Sequence, residues 1–224
     1  LTLKPASLRA NELYGAEIHR VKNRDERNST METIAARLRN EGRNVAVVPL
    51  GASIPLGALG FVRAVEETKA QLEKMAIESA NVYLSSSSGG TQAGLEAGSQ
   101  IFDMPLSLIG VSPDDPSSSI SPEIEKIIRG VGELLGLPEG ELVEESYVLD
   151  KYVGPGYGID SPESVAAIEL LARTEGICLD PVYTAKAMAG LLDEIRYGGL
   201  ASCDTVLFWH TGGQLALFYA AEDH

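Results

Sequence analysis

A stretch of fourteen residues near the middle of the chain decides the fold. It reads Val82-Tyr83-Leu84-Ser85-Ser86-Ser87-Ser88-Gly89-Gly90-Thr91-Gln92-Ala93-Gly94-Leu95. The apolar run at Val82 to Leu84 predicts a buried strand, and Thr91 to Phe102 predicts a helix. A strand, a turn of small residues and a helix form the repeating unit of a parallel sheet. This stretch therefore predicts a βα unit.

The rest of the chain repeats this alternation of short β-branched runs and longer amphipathic stretches. Strands are predicted at Val45 to Leu50, Leu106 to Val111 and Thr205 to His210, and helices at Ala58 to Ile77, after Pro181 and from Gly213 to about Ala220. Further helix starts are predicted at Ser29, by a capping box with Glu32, and at Ser121-Pro122 and Ser161-Pro162. Pro138 to Gly158 is predicted to be irregular. The fold class is thus α/β, a mostly parallel twisted sheet with helices on both faces.

Composition excludes several classes of function. The 224 residues carry 32 acidic and 18 basic side chains, a net charge of -14, which disfavours nucleic-acid and anionic-membrane partners. No run reaches the ~18 apolar residues of a membrane span, and the first nine residues lack the order of a signal peptide. Cys178 and Cys203 lack the spacing of metal ligands, so no metal site is predicted. They also show no disulfide pattern, and we therefore expect reduced thiols in a cytoplasmic protein.

The loop Ser85 to Thr91 is the first candidate site. Backbone N–H groups and the helix dipole converge between a strand and a helix, which favours an anion, and Ser88 and Thr91 add hydroxyl groups. The pattern is neither a P-loop nor a dinucleotide fingerprint. A plain βα turn with a good N-cap explains the same residues.

Three other segments carry candidate groups. Tyr152 to Gly158 holds three glycines and Tyr157, which is typical of a loop held for binding or of one anchored by aromatic packing. Tyr183 is predicted in the first turn of a helix that faces the ligand crevice. Lys186 is interpreted as a solvated helix lysine, and His210 as a satisfied core histidine.

These segments together resemble one family. Five segments match, in order and spacing, the D-cysteine desulfhydrase and 1-aminocyclopropane-1-carboxylate (ACC) deaminase family. They are Gly51 to Val62, Ser88 to Leu95, Tyr152 to Gly158, Leu179 to Thr184 and His210 to Gly213. The resemblance implies the type II fold of pyridoxal-phosphate (PLP) enzymes, with PLP between two domains, and a homodimer. We expect residues 1–50 to belong to the smaller domain and its connection, and residues 51–224 to the larger, PLP-binding domain.

The resemblance also assigns residues to roles. It implies that Ser88, Gly89, Gly90 and Thr91 cradle the PLP phosphate. It places Tyr157 at the substrate side of the ring as a catalytic group and Tyr183 beside the pyridine face as another. It places Thr184 and Thr211 near the pyridine nitrogen as cofactor-binding residues.

The chain departs from the family pattern in two ways. Ser87 stands where many members have glycine. The family's Schiff-base lysine, in a Gly-Asn-Lys context, and its Ser-Asn-His motif have no counterpart here. We expect that the chain is the C-terminal part of a complete enzyme, and that these 224 residues alone are inactive.

The activity implied is β-elimination from a small amino acid, with D-cysteine giving pyruvate, sulfide and ammonia. Thr184 and Thr211 stand where ACC deaminases have glutamate and leucine, which favours desulfhydrase activity. ACC deaminase and L-cysteate sulfo-lyase remain alternatives. A non-catalytic anion-binding fragment is an alternative of another class. A serine hydrolase using Ser53 and His210 is disfavoured because no nucleophile elbow is present.

Overall fold

The computed structural model of the chain describes residues 6–197, 199, 200 and 205–218. Seven α-helices lie in these ranges: α1 Ala6–Leu13, α2 Glu26–Asn40, α3 Pro55–Lys74, α4 Gly90–Ile101, α5 Ser117–Leu135, α6 Pro162–Thr174 and α7 Thr184–Tyr197. The strands are β1 Ala80–Ser85, β2 Leu106–Val111, β3 Tyr147–Leu149 and β4 Val206–Trp209. Short 3₁₀ helices cover Leu50–Ala52 and Gln214–Phe218. None of the described helices is long and apolar enough to cross a membrane.

The four strands form one sheet in the order β3-β2-β1-β4, and all three pairings are parallel. Parallel strands end at the same edge of a sheet, so the segments after Ser85, Val111, Leu149 and Trp209 meet there. The predicted α/β class and parallel sheet are confirmed, and so is the expectation that Ser85 to Thr91 and Thr211 to Gly213 both follow strand ends.

Helices cover both faces of the sheet because side chains alternate along each strand. Val82 and Leu84 of β1 pack with α3 and α4 on one face, where α5 adds a second layer around Ile124 and Ile128. Tyr83 points to the other face, where α6 and α7 pack. The prediction of helices on both faces is confirmed.

The strand predicted at Val45 to Leu50 is wrong. Residues 43–49 have no regular structure, and the Val48 and Leu50 side chains are 66% and 61% exposed. β-branched residues stabilise a strand by packing on a sheet, and no described strand pairs with this segment. The short strand β3, by contrast, lies in the stretch predicted to be irregular.

Two helix starts lie earlier than the sequence predicts. Asn23 Oδ1 accepts the N–H groups of Asp25 and Glu26 at 3.0 and 3.2 Å, so α2 begins a turn before Ser29. The Asp150 carboxylate accepts the Ser117 N–H at 2.7 Å, and α5 begins there, with Pro122 inside it. In both cases the capping group is not part of the local pattern that marks a helix start.

The end of the chain also differs from the prediction. The residues after Gly213 form a 3₁₀ helix up to Phe218 where an α-helix was predicted, and Ala220 lies outside the described residues. The start predicted at Ser161 is confirmed: Ser161 caps α6 in a reciprocal pair with Ser164, and Pro162 follows as the first helical residue.

Candidate active site

A cavity of about 510 Å³ lies at the carboxyl ends of the strands. The segments after all four strands contribute to its wall, together with the segment just before α7. Its lining consists of Arg24, Arg27, Leu50, Gly51, Ser85, Ser86, Ser87, Ser88, Gly89, Gly90, Thr91, Gln92, Asp114, Tyr157, Asp180, Tyr183, Thr211, Gly212 and Gly213. Seven of the eight predicted site residues are therefore brought together around one space.

The loop between β1 and α4 requires its two glycines. Gly89 has φ of 81°, in the left-handed region, and a Cβ there would lie 2.8 Å from Ile124 Cγ1. A Cβ at Gly90 would lie 2.8 Å from Ser53 Oγ. A side chain at either position would displace the loop, so glycine lets the backbone itself form the cavity wall.

Polar groups on this loop are left open to a ligand. No side chain caps the N-terminus of α4, whose first N–H groups have no partner within the helix. The hydroxyls of Ser85 and Ser86 are buried without a hydrogen-bond partner among the described residues. Buried polar groups normally have partners, and free N–H groups at a helix N-terminus favour an anion. The residues present fit a phosphate group.

Two hydroxyl contacts fix the shape of the loop. Ser53 donates to Ser88 Oγ at 2.7 Å, which links the start of α3 to the cradle. Ser87 donates to the Asp114 carboxylate at 3.1 Å, so the serine found in place of the family's glycine holds the turn after β2 against the loop. Sequence reasoning missed Asp114, because nothing in the local pattern shows that the turn after β2 meets this loop.

Tyr157 and Tyr183 are in contact, although they are 26 positions apart in the sequence. Their hydroxyl oxygens lie 2.5 Å apart, and their rings meet edge to face with centroids at 6.0 Å. Burial, followed by the hydrogen bond to Tyr157, raises the pKa of Tyr183 above its usual range. Tyr183 therefore keeps its proton at neutral pH. One proton bridges the pair, which leaves the second available to a ligand.

Asp180 organises the start of α7. Its Oδ2 accepts the N–H groups of Val182 and Tyr183 at 2.9 Å, and its Oδ1 accepts the N–H group of Thr184 at 2.8 Å. This buried carboxylate satisfies amides that the helix leaves free and thereby fixes the position of Tyr183. Asp180 also lines the cavity, and sequence reasoning did not single it out as a site residue.

Thr184 and Thr211 have different surroundings. Thr184 is fully buried behind the cavity wall, where its hydroxyl donates to Asp180 Oδ1 at 2.8 Å and accepts the Asp180 N–H at 2.8 Å. Its proton is therefore already directed to Asp180. Thr211 lines the cavity, and its hydroxyl has no partner among the described residues, so it is the freer donor of the two.

His210 is held by the backbone on both sides. Its Nδ1 accepts the Gly212 N–H at 3.1 Å and its Nε2 lies 2.9 Å from the carbonyl oxygen of Cys178. These partners assign a neutral ring with the proton on Nε2. The interpretation of His210 as a satisfied histidine agrees with these bonds, although the side chain is only partly buried.

The interpretation of Lys186 as a solvated lysine is wrong. Its side chain is fully buried, and Nζ donates to the carbonyl oxygens of Pro113, Val153 and Gly156 at 3.1, 2.8 and 2.7 Å. Residue spacing shows which helix face carries a side chain, but not whether a loop from elsewhere covers that face. No lysine lines the cavity within the part of the chain that the structure describes.

The fold and the cavity define a class: a parallel α/β protein with a cavity that fits a phosphate group at the carboxyl ends of its strands. The sequence pattern of the pyridoxal-phosphate dependent enzyme family (PALP) matches residues 2–212. The chain belongs to this family. PLP is the family's cofactor, and its phosphate is the kind of group that the loop between β1 and α4 fits.

Two relatives and one solved structure are similar to the chain over most of its length. The chain is 37% identical over 207 residues to a D-cysteine desulfhydrase of Yersinia pestis (strain Pestoides F), and equally to one of Yersinia pseudotuberculosis serotype O:1b (strain IP 31758). These matches cover 92% of this chain and 62% of each relative. A crystal structure described as an ACC deaminase homologue superposes with a TM-score of 0.80 at 33% identity, over 91% of this chain and 61% of that one. The chain thus spans about three fifths of the length of these relatives.

Proposed function

We propose that this chain is the PLP-binding part of a carbon–sulfur lyase that converts D-cysteine into pyruvate, sulfide and ammonia. The observation that carries the proposal is the cavity itself, which is lined both by the anion cradle at Ser88 to Thr91 and by the tyrosine pair. The similarity to D-cysteine desulfhydrases of two Yersinia species supports the choice of substrate.

The cradle supplies binding and orientation. In this proposal the N–H groups of Gly90 and Thr91 and the hydroxyls of Ser88 and Thr91 hold the PLP phosphate, with the dipole of α4 favouring its charge. Thr211 donates a hydrogen bond near the pyridine nitrogen. When bound, PLP supplies an electron sink for the negative charge that develops at the substrate α-carbon.

The tyrosine pair handles a proton at the substrate side. Because the pKa of Tyr183 is raised, Tyr183 acts at neutral pH as a proton donor and not as a base. The free proton of the pair is suited to the sulfur atom, which gains negative charge as its bond to the β-carbon breaks. We propose that the Schiff-base lysine comes from a segment outside these 224 residues.

ACC deaminase and L-cysteate sulfo-lyase are the other activities that the family resemblance allows. Thr184 and Thr211 favour the desulfhydrase, because a carboxylate near the pyridine nitrogen would keep that nitrogen protonated and strengthen the electron sink that ring opening needs. The bond from Thr184 to Asp180 adds to this argument, since a glutamate at position 184 would place a second buried charge beside Asp180.

The proposal extends to the whole protein. We infer that residues 1–50 join a smaller domain and that residues 51–224 form the larger one. The exposed apolar side chains of Val48 and Leu50 support this division. We also propose a cytoplasmic homodimer, on the family resemblance and on the unpaired thiol of Cys178. Light scattering of the complete protein tests the dimer.

The test of function is sulfide release from D-cysteine by the complete protein, compared with turnover of ACC. We expect kcat/KM to be higher for D-cysteine. Tyr157→Phe and Tyr183→Phe should each lower kcat by about 10² to 10⁴ if the pair donates a proton. Tyr197→Phe, at the last residue of α7 with a side chain that is 84% exposed, should leave kcat unchanged. A preference for ACC, or full activity without both hydroxyls, would contradict the proposal.

A further inference from the structure

A buried lysine beside the cavity has no part in the proposed chemistry. Lys186 projects from α7 with its side chain fully buried, and its Nζ reaches three main-chain carbonyl oxygens from two separate loops. No described carboxylate lies within ion-pair distance of it. Buried charges normally have a carboxylate or metal partner, so a lysine held by carbonyl oxygens alone needs an explanation.

The number of carbonyl partners identifies the protonation state. An ammonium group has three N–H donors and no acceptor, and here each donor meets one carbonyl oxygen at 2.7 to 3.1 Å. A neutral amine would point a lone pair at one of these oxygens. Burial lowers the pKa of Lys186, while the charges of Asp114 and Asp160 oppose that shift. The geometry is that of a cation held by carbonyl dipoles, as in ion-selective sites.

Each carbonyl belongs to a segment that carries a cavity residue. Pro113 precedes Asp114, whose carboxylate accepts the bond from Ser87 of the cradle loop. Val153 and Gly156 lie in the loop that contains Tyr157, whose hydroxyl meets Tyr183. This loop has no regular secondary structure and contains Gly154 and Gly156 at positive φ, so few bonds of its own hold it in place.

We propose that Lys186 is a positioning residue, a cation tethered to α7 that fixes the loop before Tyr157 and the turn before Asp114 relative to each other. It acts through the backbone and touches neither the cofactor nor the substrate. The proposal rests on the proposed function only where activity is the readout, because the position of the two loops can be measured without turnover.

The experiment replaces the side chain and then returns its cation. In the complete protein, Lys186→Ala removes the Cγ, Cδ, Cε and Nζ atoms, which n-propylammonium matches. We expect the variant to show faster amide hydrogen exchange at residues 153–158 and a lower unfolding midpoint, with both restored by n-propylammonium. Tetramethylammonium, which carries the charge without N–H donors, and 1-propanol, which lacks the charge, should restore neither.

Activity provides a second readout. We expect kcat/KM for the lyase reaction to fall about 10-fold to 100-fold in Lys186→Ala through misplacement of Tyr157, and to recover with n-propylammonium. Lys126→Met, at an exposed lysine remote from the cavity, controls for loss of charge and should retain full activity. If the alanine variant does not fold, Lys186→Met, which fills the space without a donor, should fold and show the faster exchange.

Two results would overturn the proposal. The first is exchange at residues 153–158 that is the same in wild type and Lys186→Met. The second is rescue of Lys186→Ala by tetramethylammonium to the same extent as by n-propylammonium. A wild-type protein that is inactive on D-cysteine would instead count against the proposed function, and the exchange and rescue measurements would still decide the role of Lys186.

Discussion

At the scale of single residues, Gly89 gives the sharpest test of the cradle. Gly89→Ala would place a Cβ at a φ of 81° and 2.8 Å from Ile124 Cγ1. We expect a loss of unfolding free energy of about 1 to 3 kcal/mol, together with PLP binding at least ~10-fold weaker because the amides at the start of α4 move. Isothermal titration with PLP and urea unfolding measure the two effects.

Gly136 provides the matched control for this substitution. It has φ of 69°, and its Cβ would meet nothing within 4 Å, so Gly136→Ala has the backbone cost without the collision and lies away from the cavity. We expect it to destabilise the fold by about 1 kcal/mol and to leave PLP affinity unchanged. Equal losses of affinity in both variants would show that the cradle does not depend on Gly89.

The sequence indicates candidate site residues where the chemistry is local. The small residues from Ser88 to Thr91, between a strand and a helix, favour an anion site, and a plain βα turn is the alternative that the same pattern allows. Asp114 and the true environment of Lys186 could not be predicted, because both depend on loops that come together from distant positions. The segment that contains Asp180 stands out in the sequence as part of the family pattern. The hydrogen bonds that its carboxylate accepts from N–H groups at the start of α7 become evident only in three dimensions.

At the scale of elements, α4 carries a titratable group on its buried face. Glu96 is 8% exposed, and Gln92 donates to its Oε1 at 2.8 Å while its Oε2 has no partner among the described residues. The pKa of Glu96 is raised to about 8, mainly by burial. The hydrogen bond from Gln92 lowers this pKa, and the charge of Glu125 raises it. The folded protein therefore favours the neutral acid.

This raised pKa predicts how stability depends on pH. Below the unfolded-state pKa of 4.5, Glu96 is neutral in both states, and its contribution is fully present. As pH rises towards 8 the unfolded chain loses the proton first, so stability falls. We expect Glu96→Gln to stabilise the protein at pH 8 by roughly 2 to 4 kcal/mol more than at pH 5, measured by urea unfolding.

A surface glutamate serves as the control for this prediction. Glu73 is exposed near the end of α3, and Glu73→Gln should change stability equally at both pH values. A Glu96→Gln variant whose stability follows the wild-type pH curve would mean that Glu96 is ionised in the folded protein.

Elements were predictable where hydrophobic pattern and burial agree. β1, β2 and α3 lie close to their predicted positions because their apolar residues belong to the buried clusters on the two faces of the sheet. Val45 to Leu50 has the composition of a strand, but no described strand pairs with it. The early starts of α2 and α5 depend on Asn23 and Asp150, which lie outside the local start signals that the sequence displays.

At the scale of the whole molecule, the sheet order places the ends of four strands around one cavity. The sequence predicts a parallel sheet and the co-location of two loops, but not the strand order, because pairing is set by contacts between distant segments. The family match and the superposition on an ACC deaminase homologue agree with this architecture.

In the function that we propose, the start of α4 holds the phosphate of PLP. A crystal structure of the complete protein with PLP bound tests this position of the phosphate. We predict phosphate oxygens within about 3.2 Å of the backbone nitrogens of Gly90 and Thr91, with the pyridine ring between this loop and Tyr183. A phosphate held instead by the Arg24 and Arg27 side chains, which also line the cavity, with the α4 amides facing solvent, would contradict the proposed role of this loop.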